Sequence, residues 1–192
     1  MSSSVLLMSM SVDGFIAGPN DEPGNPGGDG FMRLHEWYKT AEGEFGRPDG
    51  PAAAVWDELN ATGAVVVGRH TAEQVDHYGG DHHGVPVFVL SSRPAPASVA
   101  DYPLVTYVSD VESAMAQAKA AAGDRDVLVH GAYTAQKALE AGVLDELQID
   151  QVPVLFGSGR RLFDVLPAQI ELDIVRVIDT PAATHLRYRV RR

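Results

Sequence analysis

Residues 5–12, Val5-Leu6-Leu7-Met8-Ser9-Met10-Ser11-Val12, are apolar nearly throughout, the pattern of a strand covered on both faces. Gly14, Gly18 and Pro19 follow, then Gly24, Pro26, Gly27, Gly28 and Gly30, too many breakers for a tight turn. A loop of that length inside a compact domain usually serves as a lid or binding loop, and its glycines predict a mobile lid over 18–30. Phe31, Leu34, Trp37 and Tyr38 then share one side of a helix over 31–42, and Pro51 opens a second helix over 51–60.

From there strands and helices alternate. Ala64-Val65-Val66-Val67 is a short buried strand ending at Gly68, with a helix near 70–77 and a loop through Gly79-Gly80-Asp81-His82-His83-Gly84. A strand over 85–90 ends at Ser91-Ser92-Arg93-Pro94, and another covers 104–108. Ser109-x-x-Glu112 reads as a capping box that opens an alanine-rich helix, which Gly123 closes. Val127-Leu128-Val129 is the next buried strand, and a helix over 134–141 stops at Gly142. Only strands remain. Leu147 and Ile149 share one phase and Val152 and Val154 the other, a switch near Gln151 that predicts a bulge or a change of cover. Residues 171–179 and 184–190 form an antiparallel hairpin around Thr180-Pro181-Ala182-Ala183. The order predicts one α/β domain over 1–192, with a mainly parallel sheet and an antiparallel C-terminal edge.

Composition narrows the partners. Fifteen Lys and Arg against 26 Asp and Glu give a formal charge of −11, which disfavours nucleic acid. With no cysteine, the chain cannot build the Pro-Cys-x-x-Cys zinc site of nucleotide deaminases. No apolar run approaches the ~18–20 residues that span a bilayer. No basic stretch precedes the first strand, so the expectation is a cytoplasmic protein without membrane contact.

Three strand ends carry candidate chemistry, because ligands of open α/β sheets bind beyond the carboxyl ends of the strands. At Gly68-Arg69-His70-Thr71 a guanidinium and a hydroxyl enter a helical turn. Arg69 is either a bidentate anion ligand or a structural ion-pair partner. Ser91-Ser92-Arg93 offers two hydroxyls and a guanidinium to a phosphate monoester. His130-Gly131-Ala132-Tyr133-Thr134 lets a pyrophosphate approach helix amides, with His130 either bordering a substrate or sitting as a satisfied core histidine. Asp13 could face a substrate or cap the turn after the first strand. Glu36 could be an acid or anchor, or a solvated carboxylate. Gly157-Ser158-Gly159-Arg160 reads equally as a phosphate loop or a tight turn. Asp76, His77, Asp81, His82 and His83 look superficially like a metal site, but a solvated loop is the plainer reading, and no metal is expected.

Taken together these segments carry a resemblance. Gly68-Arg69-His70-Thr71-Ala72-Glu73, Val89-Leu90-Ser91-Ser92-Arg93 and Val129-His130-Gly131-Ala132-Tyr133 resemble segments of the dihydrofolate reductases. Met10-Ser11-Val12-Asp13-Gly14-Phe15-Ile16-Ala17-Gly18 and Val152-Pro153-Val154-Leu155-Phe156-Gly157-Ser158-Gly159-Arg160-Arg161-Leu162-Phe163 are similar to the reductase domain of the bifunctional riboflavin-biosynthesis deaminase-reductase and its stand-alone relatives. The resemblance implies the three-layer dihydrofolate reductase-like fold and an NADPH cofactor. Arg69, His70 and Thr71 would then lie at the pyrophosphate, and Ser91, Ser92 and Arg93 at the 2′-phosphate. Gly131 to Thr134 would close over the pyrophosphate, with Ala17 and Gly18 near the nicotinamide; Gly68 and His130 complete the cofactor set. It also implies hydride transfer to a C=N or C=O bond of a small heterocyclic substrate, which in these relatives is a phosphoribosyl aminopyrimidinone. The region after the first loop reads Leu34-His35-Glu36-Trp37 and lacks the Pro-Trp pattern of the folate enzymes. Asp13 and Glu36 are the candidate acids. The runners-up are a dihydrofolate or pterin reductase and a non-catalytic NADPH-binding protein. In the C-terminal hairpin, Leu186, Tyr188 and Val190 alternate with Arg187 and Arg189, which together with the stand-alone relatives predicts a homodimer through a sheet edge.

Overall fold

The computed structural model describes residues 2–164 and 166–191. Its strands form an eight-stranded sheet in the order β5 (Val105–Val108), β4 (Val87–Leu90), β3 (Ala64–Gly68), β6 (Val127–His130), β1 (Ser4–Ser11), β7 (Glu146–Val152), β10 (Thr184–Val190), β9 (Leu172–Asp179), beside a two-stranded sheet of β2 (Phe15–Ala17) and β8 (Arg160–Arg161). The described residues pack as two compact units, the first built from 2–6 and 61–146 and the second from 7–60, 147–164 and 166–191. Strand β1 (Ser4–Ser11) contributes to both. No helix among the described residues is long and apolar enough to cross a membrane.

The first unit holds β3 (Ala64–Gly68), α2 (Arg69–Gln74), β4 (Val87–Leu90), β5 (Val105–Val108), α3 (Val111–Ala122), β6 (Val127–His130) and α4 (Ala132–Glu140). Its strands run parallel, with Val65 opposite Val87 on one side and Leu128 on the other. Val65, Val66 and Val67 are fully buried, as the continuous apolar run predicts, and each such side chain contributes on the order of 1.5–3 kcal/mol. Helix α3 covers β3 and β4 with Ala114, Met115 and Ala118. Its cap is Asp110, one residue beyond the predicted Ser109. The Asp110 carboxylate accepts from the Ser113 amide at 2.7 Å, and its charge complements the helix N-terminus better than a hydroxyl does.

The helix expected over 70–77 ends at Gln74. Asp76, His77 and Tyr78 then take left-handed conformations, φ 46°, 52° and 58°, continued by Gly79 and Gly80. Each non-glycine residue there costs about 1–2 kcal/mol, so tertiary contacts must hold this turn.

The second unit holds β2 (Phe15–Ala17), α1 (Ala53–Asn60), β7 (Glu146–Val152), β8 (Arg160–Arg161), β9 (Leu172–Asp179) and β10 (Thr184–Val190). Strand β7 buries both faces, including Gln148 and Asp150, so its polar positions do not mark a solvent side. It ends at Val152, whose carbonyl accepts from the Val154 amide in a tight turn at the expected phase switch. The hairpin forms as predicted, with Leu186 opposite Val177, Tyr188 opposite Ile174 and Val190 opposite Leu172. A bulge leaves Val175 without an opposite residue. The edge strand, however, is β9, because β10 lies between β9 and β7. Glu58 on α1 ties the hairpin down, accepting from Arg176 at 2.5 and 2.8 Å and from Arg187 at 2.8 Å.

Two expectations change here. The helix over 31–42 is a 3₁₀ helix, Phe31–Tyr38, started by Gly30 in the left-handed region without a side-chain cap; Lys39 is already extended and bridges to Phe45. The loop over 18–30 is cross-tied. The Gly18 amide donates to the Gly27 carbonyl and the Asp29 amide to the Pro19 carbonyl, both at 2.8 Å. A Cβ on Gly18 would stand 1.8 Å from the Asp29 carbonyl oxygen, so this glycine serves close backbone approach rather than mobility.

Candidate functional site

In the first unit the ends of β3, β4 and β6 enclose a pocket of about 210 Å³, lined by Gly68–Thr71, Leu90–Arg93 and Gly131–Thr134. These are the three segments singled out from the sequence, and parallel strands bring them together because all three exit at the same end of the sheet. Gly131 caps α4 at φ 87°, where a side chain would be strained, and its Cβ would also stand 3.1 Å from Thr71 Oγ1. A Cβ on Gly68 would stand 3.1 Å from Thr134 Oγ1. The Thr134 side chain is fully buried behind the pocket wall and its hydroxyl has no partner. The first turn of α4 offers its amides at the same place, since the earliest helical bond there is Ala135 amide to Gly131 carbonyl.

The two guanidiniums of the pocket differ. Arg69 donates Nε to Glu73 at 2.6 Å and Nη1 to the Pro94 carbonyl at 2.8 Å, and lies over the Tyr107 ring at 5.6 Å. It lines the pocket while clamping the 91–94 turn, which favours its structural reading. Arg93 is exposed and pairs with no carboxylate among the described residues. Its backbone is held by Ser91, whose hydroxyl accepts from the Arg93 amide at 3.1 Å and donates to the Arg93 carbonyl at 3.0 Å. His70, Ser92 and Tyr133 line the pocket from exposed positions. No acidic residue lines it, in a chain of charge −11. Hydroxyls, amides and a guanidinium without a carboxylate make a donor set that fits the phosphates of NADPH.

The other candidates do not line that pocket. Ala17 and Gly18 are buried in the second unit at the end of β2. Asp13 accepts from the Ser11 hydroxyl at 2.6 Å and from the Phe156 and Gly157 amides at 3.0 and 2.7 Å. The Ser11 bond and these amides pull its carboxyl down to about 2, so it stays ionised and acts as a turn cap. Glu36 is exposed and paired with Arg33 at 3.3 Å and Lys39 at 3.5 Å. Gly157 to Arg161 form the tight turn into β8, where Arg161 donates to the Asp13 carbonyl at 2.9 Å and stacks over Phe15. Among the described residues no three of the metal-like side chains group as a ligand set: His77 is buried 2.8 Å from the Tyr107 hydroxyl, and His82 packs edge-on to Tyr78 and to His83. His130 is half-buried, its Nδ1 3.1 Å from the Tyr78 hydroxyl.

Sequence reasoning missed a buried pair in the second unit. His185 Nδ1 donates to Asp150 at 2.7 Å, both side chains are fully buried, Gln148 donates to the same carboxylate at 2.9 Å, and the Trp37 ring meets His185 edge-on at 4.8 Å. No local signal marks it, because the partners lie 35 residues apart.

Residues 4–186 match the family described as the RibD C-terminal domain. Curated protein sequences give no match. Among solved structures, a protein assigned to riboflavin biosynthesis from Shewanella sp. PV-4 aligns with a TM-score of 0.74 at 22% identity, over 99% of both chains. A pyrimidine reductase-like protein from Corynebacterium diphtheriae aligns at 0.62 and 15%, over 100% of this chain and 92% of the other. RibD of Acinetobacter baumannii aligns at 0.64 and 18%, over 100% of this chain but only 59% of that longer one. At these identities the likeness speaks for the fold.

Proposed function

The chain belongs to the RibD C-terminal domain family, and from that membership we propose that it is an NADPH-dependent reductase of a small heterocyclic substrate, of the riboflavin-pathway aminopyrimidine class. The observation that carries the reading is the pocket at the three strand ends, with its glycine walls, exposed Arg93 and acid-free lining. The names of the structural neighbours support the pathway. Gly131 to Thr134 would hold the pyrophosphate through the α4 amides, with His70 and Thr71 across from them. Ser91, Ser92 and Arg93 would take the 2′-phosphate, and Arg69 would hold that turn in place. When bound, the cofactor supplies a hydride. We further propose a homodimer through the hairpin, where Leu172, Ile174 and Val177 of β9 stand beside Leu186, Tyr188 and Val190 of β10 and Ile174 is 71% exposed.

Calorimetry with the two nicotinamide cofactors tests the cofactor assignment. An Arg–phosphate contact worth ~1.5–3 kcal/mol makes NADPH bind at least roughly tenfold tighter than NADH, and Arg93→Ala removes the preference. Equal affinities in the wild type overturn the assignment. Absorbance at the nicotinamide band, with ribosylaminopyrimidine and dihydropterin substrates, then separates a reductase from a protein that only binds the cofactor.

A further inference from the structure

The left-handed turn over 76–80 joins α2 to the segment before β4 in a costly conformation, with His77 and Gly80 buried. Each of its three non-glycine residues is nevertheless held by one side-chain bond to a different place. The Tyr102 hydroxyl donates to Asp76 at 3.1 Å, His77 Nε2 meets the Tyr107 hydroxyl on β5 at 2.8 Å, and the Tyr78 hydroxyl reaches His130 Nδ1 at 3.1 Å. The last bond is the informative one. His130 ends β6, and the next residue, Gly131, is the cap of α4 and a wall of the anion pocket.

We propose that Tyr78 is a positioning residue of this pocket: its hydroxyl, hydrogen-bonded to His130 Nδ1, holds the imidazole and with it the His130–Gly131 turn that presents the first amides of α4. Strain concentrated at one segment and discharged into a functional wall is what such turns accomplish. Burial pushes the Tyr78 hydroxyl well above its ordinary range, so it stays protonated and neutral. The His82 ring, packed edge-on at 5.0 Å, buttresses Tyr78, and burial holds that imidazole down to about 4, so a neutral ring makes the contact.

The identification of the anion as a cofactor pyrophosphate rests on the function proposed above, but the positioning itself is testable in the ligand-free protein. The Ala135 amide, bonded to the Gly131 carbonyl at 3.0 Å, reports the turn directly. Its hydrogen exchange, read by nuclear magnetic resonance, becomes roughly fivefold faster in Tyr78→Phe and in His130→Leu, the equivalent of one neutral hydrogen bond, and no faster in the double variant. His130→Asn restores slow exchange, because its amide oxygen stands where Nδ1 stood. Unchanged Ala135 exchange in both single variants overturns the proposal, as does equal acceleration in α3, which would mean a loss of overall stability alone. In the same variants NADPH binding weakens in step with the exchange. A wild type that binds no NADPH refutes the proposed function, while the exchange data still decide the role of Tyr78.

Discussion

Replacing Asp150 by leucine removes the acceptor shared by two buried donors, the His185 Nδ1–H and the Gln148 side-chain amide. Both Asp150 and His185 are fully buried, so water cannot take the place of the lost carboxylate. Each orphaned donor costs about 1–3 kcal/mol, and breaking a buried pair by removing one partner costs about 3–5 kcal/mol, so the two routes agree. For a chain of this size each kcal/mol moves the midpoint by ~2–4 °C, which makes the expected fall roughly 6–20 °C. Asp150→Asn keeps one oxygen facing His185 and Gln148 and loses only about 1 kcal/mol. Thermal unfolding followed by circular dichroism, with urea unfolding for the free energy, measures both. A leucine variant within ~1 kcal/mol of wild type, or an asparagine variant as damaged as the leucine one, would refute the reasoning.

The Gly18 and Asp29 amides should exchange slowly in the ligand-free protein, because both donate inside the 18–30 loop; exchange as fast as at an exposed terminus would restore the mobile-lid reading. Asp13 has its carboxyl pulled from 3.8 to about 2, so its contribution to stability is full above pH ~4 and disappears as pH falls through 2. Unfolding measured between those limits should depend less on pH in Asp13→Asn, and identical slopes would contradict the capping role. Light scattering should give twice the chain mass of 20.5 kDa for the wild type and the single mass for Ile174→Asp, whereas a wild type at 20.5 kDa ends the dimer proposal.

How much of this was legible in the chain depends on distance along it. Strands β3, β4 and β6 could be read directly, because runs of valine and leucine bounded by glycine or serine satisfy only a doubly covered strand. The three pocket segments were legible for a related reason: glycine and polar residues cluster immediately after each strand, and parallel strands must deliver such ends to one side. Near misses were also local. Ser109 and Asp110 are both good caps, and only the helix axis decides which of them meets an amide. Other features had no local signature. Arg69 could be an anion ligand or an ion-pair partner, and Asp13 could face a substrate or cap a turn; only the fold brings Glu73 and Pro94 to the one and the backbone of residues 156 and 157 to the other. The glycines of the 18–30 loop implied freedom, whereas the fold uses at least Gly18 to bring two backbones into contact. Periodicity, turn chemistry and charge are properties of neighbouring residues, so the sequence by itself determined the elements, their class and the segments that meet at the pocket. Hydrogen-bond partnerships such as Tyr78 with His130 and Asp150 with His185 join residues 52 and 35 positions apart, and only the tertiary path of the chain decided them, because a polar group is satisfied by whatever the fold carries within 3 Å or so of it.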